Sequence, residues 1–118
     1  MSTIERKSPR FEISDEIKAI ISLRDKENNE LFRANIHDIS VIGIGIVYEE
    51  NSHLKSLLPS LKSVKNMIFH NAYITLNEFQ FKAGVIWVWT EKGRSGMKFF
   101  GIHEQDFKVL ERWIDKNL

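Results

Sequence analysis

The stretch IKAIISLRDKENNELFRANI, residues 17–36, carries the clearest structural signal of the chain. Over residues 17–24, apolar side chains alternate with mostly polar ones, which is the period-two pattern of a strand buried on one face. Residues 25–29 are a cluster of turn-forming types. A second β-type run follows over residues 31–36. The sequence therefore predicts a β-hairpin within residues 15–37.

Further strands are predicted on the C-terminal side of this hairpin. The apolar or β-branched segments that we interpret as strands are residues 42–48, 66–76, 79–90 and 97–102. Gly43 and Gly45 lie inside the first of them, and a glycine within a strand usually marks a bulge or a close backbone approach. We place a turn at residues 93–96. Residues 52–64 allow two interpretations: a short helix over residues 53–58, which Ser52 caps and Pro59 interrupts, or a loose connection.

The period of the pattern changes near the C-terminus. Apolar residues recur there at helical spacing, namely Phe107, Leu110, Ile114 and Leu118. Glu104 and Asp106 at the start and Lys116 at the end match the helix dipole, so we expect a helix over residues 104–118. Six strands with short connections and one terminal helix predict a mainly β fold, either a small antiparallel barrel or a sandwich, with the helix packed against it.

Composition indicates an ordinary globular protein. The chain has 118 residues, of which 42% are hydrophobic and 28% charged, so we expect residues 1–118 to form a single domain. Lys and Arg total 17, Asp and Glu total 16, and the net charge is +1. This balance argues against nucleic acid as a partner, because a basic field is missing. Cysteine is absent, which excludes disulfides and thiolate ligands.

The N-terminal segment indicates the compartment. Residues 1–10 lack the apolar core of a signal peptide, and the longest apolar run, residues 41–48, is far shorter than the ~20 residues that span a membrane. We therefore expect a cytoplasmic protein without membrane insertion. Because residues 1–10 also carry little apolar surface, we interpret them as an irregular, flexible arm.

Catalytic motifs are missing. His37, Asp38 and Ser40 are the residue types of a triad, but near-contiguous residues on a strand point to opposite faces and do not form the required chain of contacts. The four histidines show no metal-binding spacing. No glycine fingerprint of a dinucleotide-binding fold is present. We expect a protein that is not an enzyme and that has no metal or cofactor.

Two short motifs carry complementary chemistry. Arg6 and Arg10 form an RxxxR pattern, and Asp38, Ser40 and Gly43 form a DxSxxG pattern at a strand boundary. Two guanidinium groups can grip phosphate or the O6/N7 edge of guanine, and a carboxylate accepts N–H donors from the other edge of that base. Alternatively, the arginines are solvated charges and the Asp–Ser pair closes a local turn.

Taken together, these motifs make the chain resemble a PilZ domain, the bacterial receptor module for the second messenger cyclic di-GMP. Residues 84–87 (GVIW) and 96–99 (GMKF) resemble the late strands of that family. The resemblance implies a six-stranded antiparallel β-barrel with a C-terminal helix that closes one end. It also implies a ligand site between the arm and the barrel surface. The implied ligand-binding residues are Arg6, Arg10, Asp38, Ser40 and Gly43, with Lys7 and Trp89 as further candidates.

The resemblance also implies how the protein acts. Cyclic di-GMP binding would order residues 1–10, and the new surface would signal to an unidentified downstream effector protein. The alternative is a ligand-independent adaptor in pilus or motility machinery. A small-barrel nucleic-acid binder is a weaker third reading. The chain departs from many family members at Glu5, where another arginine is common, and at Ile42, where a glycine is common.

Two tryptophans near the end of a predicted strand allow two interpretations. Trp87 and Trp89 are two residues apart, which predicts side chains on the same face of the strand. Burial in the barrel core is the usual position of tryptophan in a small β domain. Stacking on guanine is the functional alternative, and it suits Trp89 better because Trp89 lies closer to the strand end.

Overall fold

The computed structural model describes residues 10–48 and 66–118, which form seven strands and one helix. Their bounds are β1 Phe11–Glu12, β2 Ala19–Arg24, β3 Glu30–Ile39, β4 Gly43–Val47, β5 Ile68–Leu76, β6 Phe79–Glu91, β7 Arg94–Phe100 and α1 Glu104–Asn117. The predicted hairpin over residues 15–37 corresponds to β2 and β3, and the predicted terminal helix corresponds to α1. The segment that allows a short helix or a loose connection, residues 52–64, lies outside the described residues.

The strands form a closed antiparallel barrel. Hydrogen-bonded neighbours follow the order β3-β2-β5-β6-β7-β4, and β4 pairs back with β3. Six strands therefore complete the barrel, which confirms the predicted architecture and decides between barrel and sandwich. The short strand β1 is an addition that the sequence did not reveal, because two residues leave no readable alternation. It pairs with the far end of β3, beyond the part that β2 covers.

The barrel encloses an apolar core to which every barrel strand contributes. Trp87 is fully buried at its centre, with the rings of Phe32 and Phe69 at centroid distances of 5.4 and 6.1 Å. Helix α1 inserts Leu110 and Ile114 into the same core, which is why its apolar residues recur at helical spacing. Among the described residues, no helix is long and apolar enough to cross a membrane.

The turn between β6 and β7 differs from the sequence prediction. We expected a turn at residues 93–96, but β7 already begins at Arg94. The chain reverses at Lys92 and Gly93, whose φ angles are 40° and 79°. Consecutive positive φ angles suit the tight turns of hairpins. Gly96 consequently lies inside the ladder, where it pairs with Gly45 of β4.

Candidate ligand-binding site

An ion pair between Arg10 and Asp38 marks the site. Strand β1 pairs with the end of β3 so that Glu12 lies opposite Asp38, and this register brings Arg10 beside the same carboxylate. The Nη1 atom of Arg10 lies 2.6 Å from Oδ1 of Asp38. Both side chains are partly exposed, so the pair adds at most about 1 kcal/mol to stability. Arg10 from the RxxxR motif and Asp38 from the DxSxxG motif are therefore in contact, although they are 28 positions apart in the sequence.

The space for the Asp38 carboxylate is provided by Gly45. The two residues pair between β3 and β4, next to an irregularity in the ladder. A Cβ atom on residue 45 would lie 2.6 Å from Oδ2 of Asp38, closer than real Cβ atoms approach. Only glycine leaves the carboxylate in this position. The sequence analysis noted Gly45 as a glycine inside a strand but did not connect it with Asp38, which is a contact between strands.

Ser40 and Gly43 form the turn between β3 and β4. The backbone N–H of Ser40 donates to the carbonyl of Gly43 over 2.9 Å, and the N–H of Ile42 donates to Oγ of Ser40 over 3.2 Å. Ser40 is buried. A Cβ atom on residue 43 would collide with the carbonyl of Met97 in β7. Gly43 does not have a positive φ angle, so close packing on β7, rather than backbone conformation, requires glycine here.

Trp87 and Trp89 lie on opposite sides of the barrel wall, which corrects the expectation that they share a face. Trp87 pairs with Met97 and Trp89 with Gly96, so β6 advances by two residues while β7 advances by one. This bulge turns Trp89 outward. Trp87 is fully buried, whereas Trp89 is 44% exposed and its indole covers Gly96. The core interpretation holds for Trp87, and Trp89 faces the site.

A cavity of about 480 Å³ brings these side chains together. The lining residues that matter here are Arg10, His37, Asp38, Gly45, Trp89 and Arg94. Ser40 and Gly43, which the motif also implicates, lie outside this lining. Arg6 and Lys7 lie outside the described residues. Of the residues implicated by sequence, the structure therefore unites Arg10, Asp38 and Trp89, and the ligand-binding role of all of them stays a prediction.

Two lining residues with ionisable side chains were missed by the sequence analysis. The Nδ1 atom of His37 lies 3.1 Å from Oδ2 of Asp38, and a terminal nitrogen of Arg94 lies 3.2 Å from the same ring nitrogen. His37 also faces Glu12 of β1, with Nε2 3.6 Å from Oε2. The sequence analysis considered His37 only as a triad residue. Arg94 had no signal, because it is 57 positions away from His37.

The charge of the cavity lining is mixed. Arg10, Lys92 and Arg94 supply cations, and Asp38 and Glu91 supply carboxylates. This arrangement suits a ligand that carries both anionic groups and hydrogen-bond donors. Within residues 10–48 and 66–118, no group of three or more metal-ligating side chains is arranged to hold a metal ion.

Comparisons with known proteins identify the family and the fold of the chain. The family model described as PilZ domain matches residues 4–116. No curated protein sequence matches the chain significantly. Among solved structures, the complex of K. pneumonia MrkH with c-di-GMP has a TM-score of 0.73 at 19% identity and is matched over 95% of this chain and 51% of MrkH. This chain thus spans about half the length of MrkH.

Two further structures have the same fold. The PilZ domain of YcgR from Escherichia coli, solved with c-di-GMP, has a TM-score of 0.64 at 18% identity, and the match covers 96% of this chain and 91% of that domain. The Bacillus subtilis inhibitor of motility (MotI/DgrA) has a TM-score of 0.61 at 17% identity, with coverage of 95% and 52%. At these identities the similarity concerns the fold.

Proposed function

Because this chain belongs to the PilZ domain family, we propose that it is a receptor for cyclic di-GMP that acts by binding rather than by catalysis. The observation that carries this proposal is that Arg10, Asp38 and Trp89 line the same cavity. Two structures of the same fold, MrkH and the YcgR domain, were solved with c-di-GMP, which supports this choice of ligand.

The three side chains offer complementary contacts to a guanine nucleotide. The guanidinium of Arg10 suits a phosphate or the O6/N7 edge of guanine, because its planar N–H groups can form two parallel hydrogen bonds. The Asp38 carboxylate accepts the N–H donors on the opposite edge of the base. The exposed indole of Trp89 provides a surface on which a purine can stack, a contact worth ~1–3 kcal/mol per base.

The Arg10–Asp38 ion pair does not prevent binding. It is solvent-accessible on both sides, and exposed ion pairs of this kind contribute only about 0–1 kcal/mol. A ligand that offers a phosphate to Arg10 and N–H groups to Asp38 replaces this pair with two charge-assisted contacts. The ion pair therefore holds both side chains at the cavity until the ligand binds and replaces their mutual contact.

The remaining implicated residues complete the proposed site. Arg6 and Lys7 add cations from the N-terminal arm, residues 1–10, and cyclic di-GMP orders this arm by gathering its positive charges around two phosphates. Ser40 and Gly43 hold the β3–β4 turn beside Asp38. The ordered arm and the nucleotide together form a surface that signals to a downstream effector protein.

Titration calorimetry with cyclic di-GMP tests the proposal, with GMP and GTP as control ligands. We expect saturable binding of cyclic di-GMP and no saturable binding of GMP or GTP. Arg6→Ala, Arg10→Ala and Asp38→Ala should each weaken binding by at least tenfold, on the order of 1.5–3 kcal/mol for a charge-assisted contact. Asp115→Ala and Arg112→Ala are matched controls, because both residues are exposed on α1, and they should bind like the wild type.

Thermal melting without ligand separates binding from folding. Arg10→Ala should melt at the wild-type temperature, since its ion pair is exposed. Absence of cyclic di-GMP binding by the wild-type chain would overturn the proposal and would favour the ligand-independent adaptor. An Asp38→Ala variant that binds as tightly as wild type would show that the cavity is not the site.

A further inference from the structure

The structure assigns a second anion-binding residue to the cavity: we infer that Arg94, held against His37, binds the phosphate of cyclic di-GMP that Arg10 does not reach. This inference rests on the proposed function and extends it to a residue outside both sequence motifs. It concerns the part of the cavity lining that the β6–β7 hairpin forms.

Arg94 is positioned by the barrel. It is the first residue of β7 and pairs with Glu91 across the hairpin and with Val47 of β4. Its side chain is exposed and lines the cavity. One terminal nitrogen lies 3.2 Å from Nδ1 and 3.4 Å from Nε2 of His37. The guanidinium therefore already points towards the Asp38 side of the cavity before any ligand binds.

His37 places the guanidinium of Arg94 near Asp38. Nδ1 of the His37 ring lies 3.1 Å from Oδ2 of Asp38, and the same ring contacts a terminal nitrogen of Arg94. The imidazole therefore stands between the Arg94 guanidinium and the Asp38 carboxylate and sets the position of Arg94 in the cavity.

Arg94 forms no salt bridge within the described part of the chain. No carboxylate oxygen there lies within 4.0 Å of its guanidinium, and neighbouring Glu91 forms no ion pair with it. Asp38, which also contacts His37, is paired with Arg10. The exposed guanidinium of Arg94 can therefore turn to an incoming anion without breaking a salt bridge to a described residue.

The ligand chemistry fits this arrangement. Cyclic di-GMP carries two phosphates. Arg10 lines the cavity from the residue before β1, whereas Arg94, with Lys92 beside it, lines the cavity from the β6–β7 hairpin. A guanidinium can bind a phosphate through two parallel N–H contacts, which a lysine cannot do. The second phosphate therefore has a specific partner in Arg94.

Calorimetric titration of Arg94→Ala and Arg94→Lys with cyclic di-GMP at several salt concentrations tests the inference. We expect Arg94→Ala to bind about tenfold more weakly, as for the loss of one charge-assisted contact. The slope of log affinity against log salt should be shallower than in the wild type, because one charge–charge contact that salt screens is lost. Arg94→Lys should regain part of the affinity and most of the slope. Arg112→Ala, an exposed arginine on α1, is the control.

The outcomes separate this inference from the proposed function. If Arg94→Ala binds within twofold of wild type while Asp38→Ala loses binding, Arg94 is not a ligand contact and the receptor function stands. A loss of affinity with an unchanged salt slope would also overturn the phosphate contact. If wild-type protein fails to bind cyclic di-GMP, the proposed function fails, and the subsite fails with it.

Discussion

Two glycines determine the shape of the candidate site at the scale of single residues. Gly45 and Gly96 pair directly between β4 and β7. The carboxylate of Asp38 covers the first and the indole of Trp89 covers the second. Because these two glycines have no Cβ atoms, both side chains can pack directly against the backbone of the sheet. The absence of two side chains thus places the two groups that we expect to contact the nucleotide.

Replacement of Gly45 should therefore impair ligand binding without direct contact to the ligand. We expect Gly45→Ala to weaken cyclic di-GMP binding by at least tenfold, because the new methyl group displaces the Asp38 carboxylate from a position only 2.6 Å away. Titration calorimetry gives the affinity, and circular dichroism shows that the fold is retained.

Gly84→Ala is the matched control for this variant. Gly84 is also a strand glycine, and its Cβ atom would collide with the ring of Phe100, which is not part of the cavity. We expect Gly84→Ala to lower the melting temperature and to leave the affinity unchanged. If both variants lose affinity equally, general destabilisation explains the effect and the link between Gly45 and Asp38 is wrong.

Strand β6 shows how one element serves both the core and the site. The bulge between Trp87 and Trp89 reverses the facing of the strand, so that a core tryptophan and a surface tryptophan stand two residues apart. Bulges are frequent next to functional sites, where they redirect a side chain. Without this bulge, both indoles would compete for the barrel interior.

The two tryptophans should consequently respond differently to the same substitution. Trp87→Ala should lower the free energy of unfolding by ~3–5 kcal/mol, because it empties the centre of the core. Trp89→Ala should change stability by less than about 1 kcal/mol and weaken cyclic di-GMP binding by roughly tenfold through loss of stacking. Urea denaturation and calorimetry measure the two effects. Equal stability losses would contradict the assignment of opposite faces.

The β2–β3 hairpin carries a polar cluster on its outer surface. Oε2 of Glu30 accepts hydrogen bonds from Ser22 at 2.6 Å and from Arg33 at 3.0 Å. Burial acts to raise the pKa of Glu30, but these hydrogen bonds and the charges of Arg33 and Arg24 outweigh it, so the pKa lies below its usual value. The ionised form therefore stabilises the hairpin.

The pH dependence of stability should reveal this carboxylate. A folded-state pKa below that of the unfolded chain adds stability above the unfolded pKa of ~4.3, and this stability is lost as the pH falls through the folded value. We expect Glu30→Gln to be about 1 kcal/mol less stable than wild type at pH 7, with the difference shrinking as the pH falls below the unfolded pKa of ~4.3. Urea denaturation from pH 3 to 7 measures it.

Glu27→Gln is the control for this prediction, because Glu27 is an exposed carboxylate of the same hairpin. We expect it to match wild type across this pH range. A Glu30→Gln difference that persists at pH 3 would show that the hydrogen-bond geometry, rather than the charge of the carboxylate, stabilises the hairpin.

At the scale of the whole molecule, the barrel is a scaffold that carries the cavity beside strand β1. Strand β1 pairs with β3 immediately after Arg10, and Arg10 itself lines the cavity. Closure by β3 and β4 and packing of α1 stabilise the rest independently of the ligand. Ligand binding should therefore act on the N-terminal segment and leave the barrel unchanged.

Hydrogen exchange tests this division of labour. We expect amide exchange at residues 4–10 to slow by at least tenfold when cyclic di-GMP saturates the protein, because we propose that the ligand orders the segment that carries Arg6. Amides of β5 in the barrel are the internal control and should exchange equally with and without ligand. Unchanged exchange at residues 4–10 would contradict the ordering mechanism while leaving ligand binding itself intact.

Most of the secondary structure could be predicted because its signals are local. Alternation over residues 17–24 and helical spacing from Phe107 to Leu118 each reflect burial of one face of a single element. The motif residues Arg10 and Asp38 could also be singled out, since their chemistry depends on residue type and spacing. The turn at Lys92 and Gly93 was misplaced by a few residues, because glycines at 93 and 96 give similar local signals.

The amino-acid sequence by itself determined the six barrel strands, the terminal helix and the chemistry of Arg10 and Asp38, all of which depend on neighbours along the chain. Only the tertiary structure decided that Trp89 faces outward, that Gly45 accommodates Asp38 and that Arg94 meets His37. Each of these depends on the register between strands that are distant in sequence. Pairing across a closed barrel, with a bulge that shifts one strand by a residue, sets that register, and no local periodicity records it.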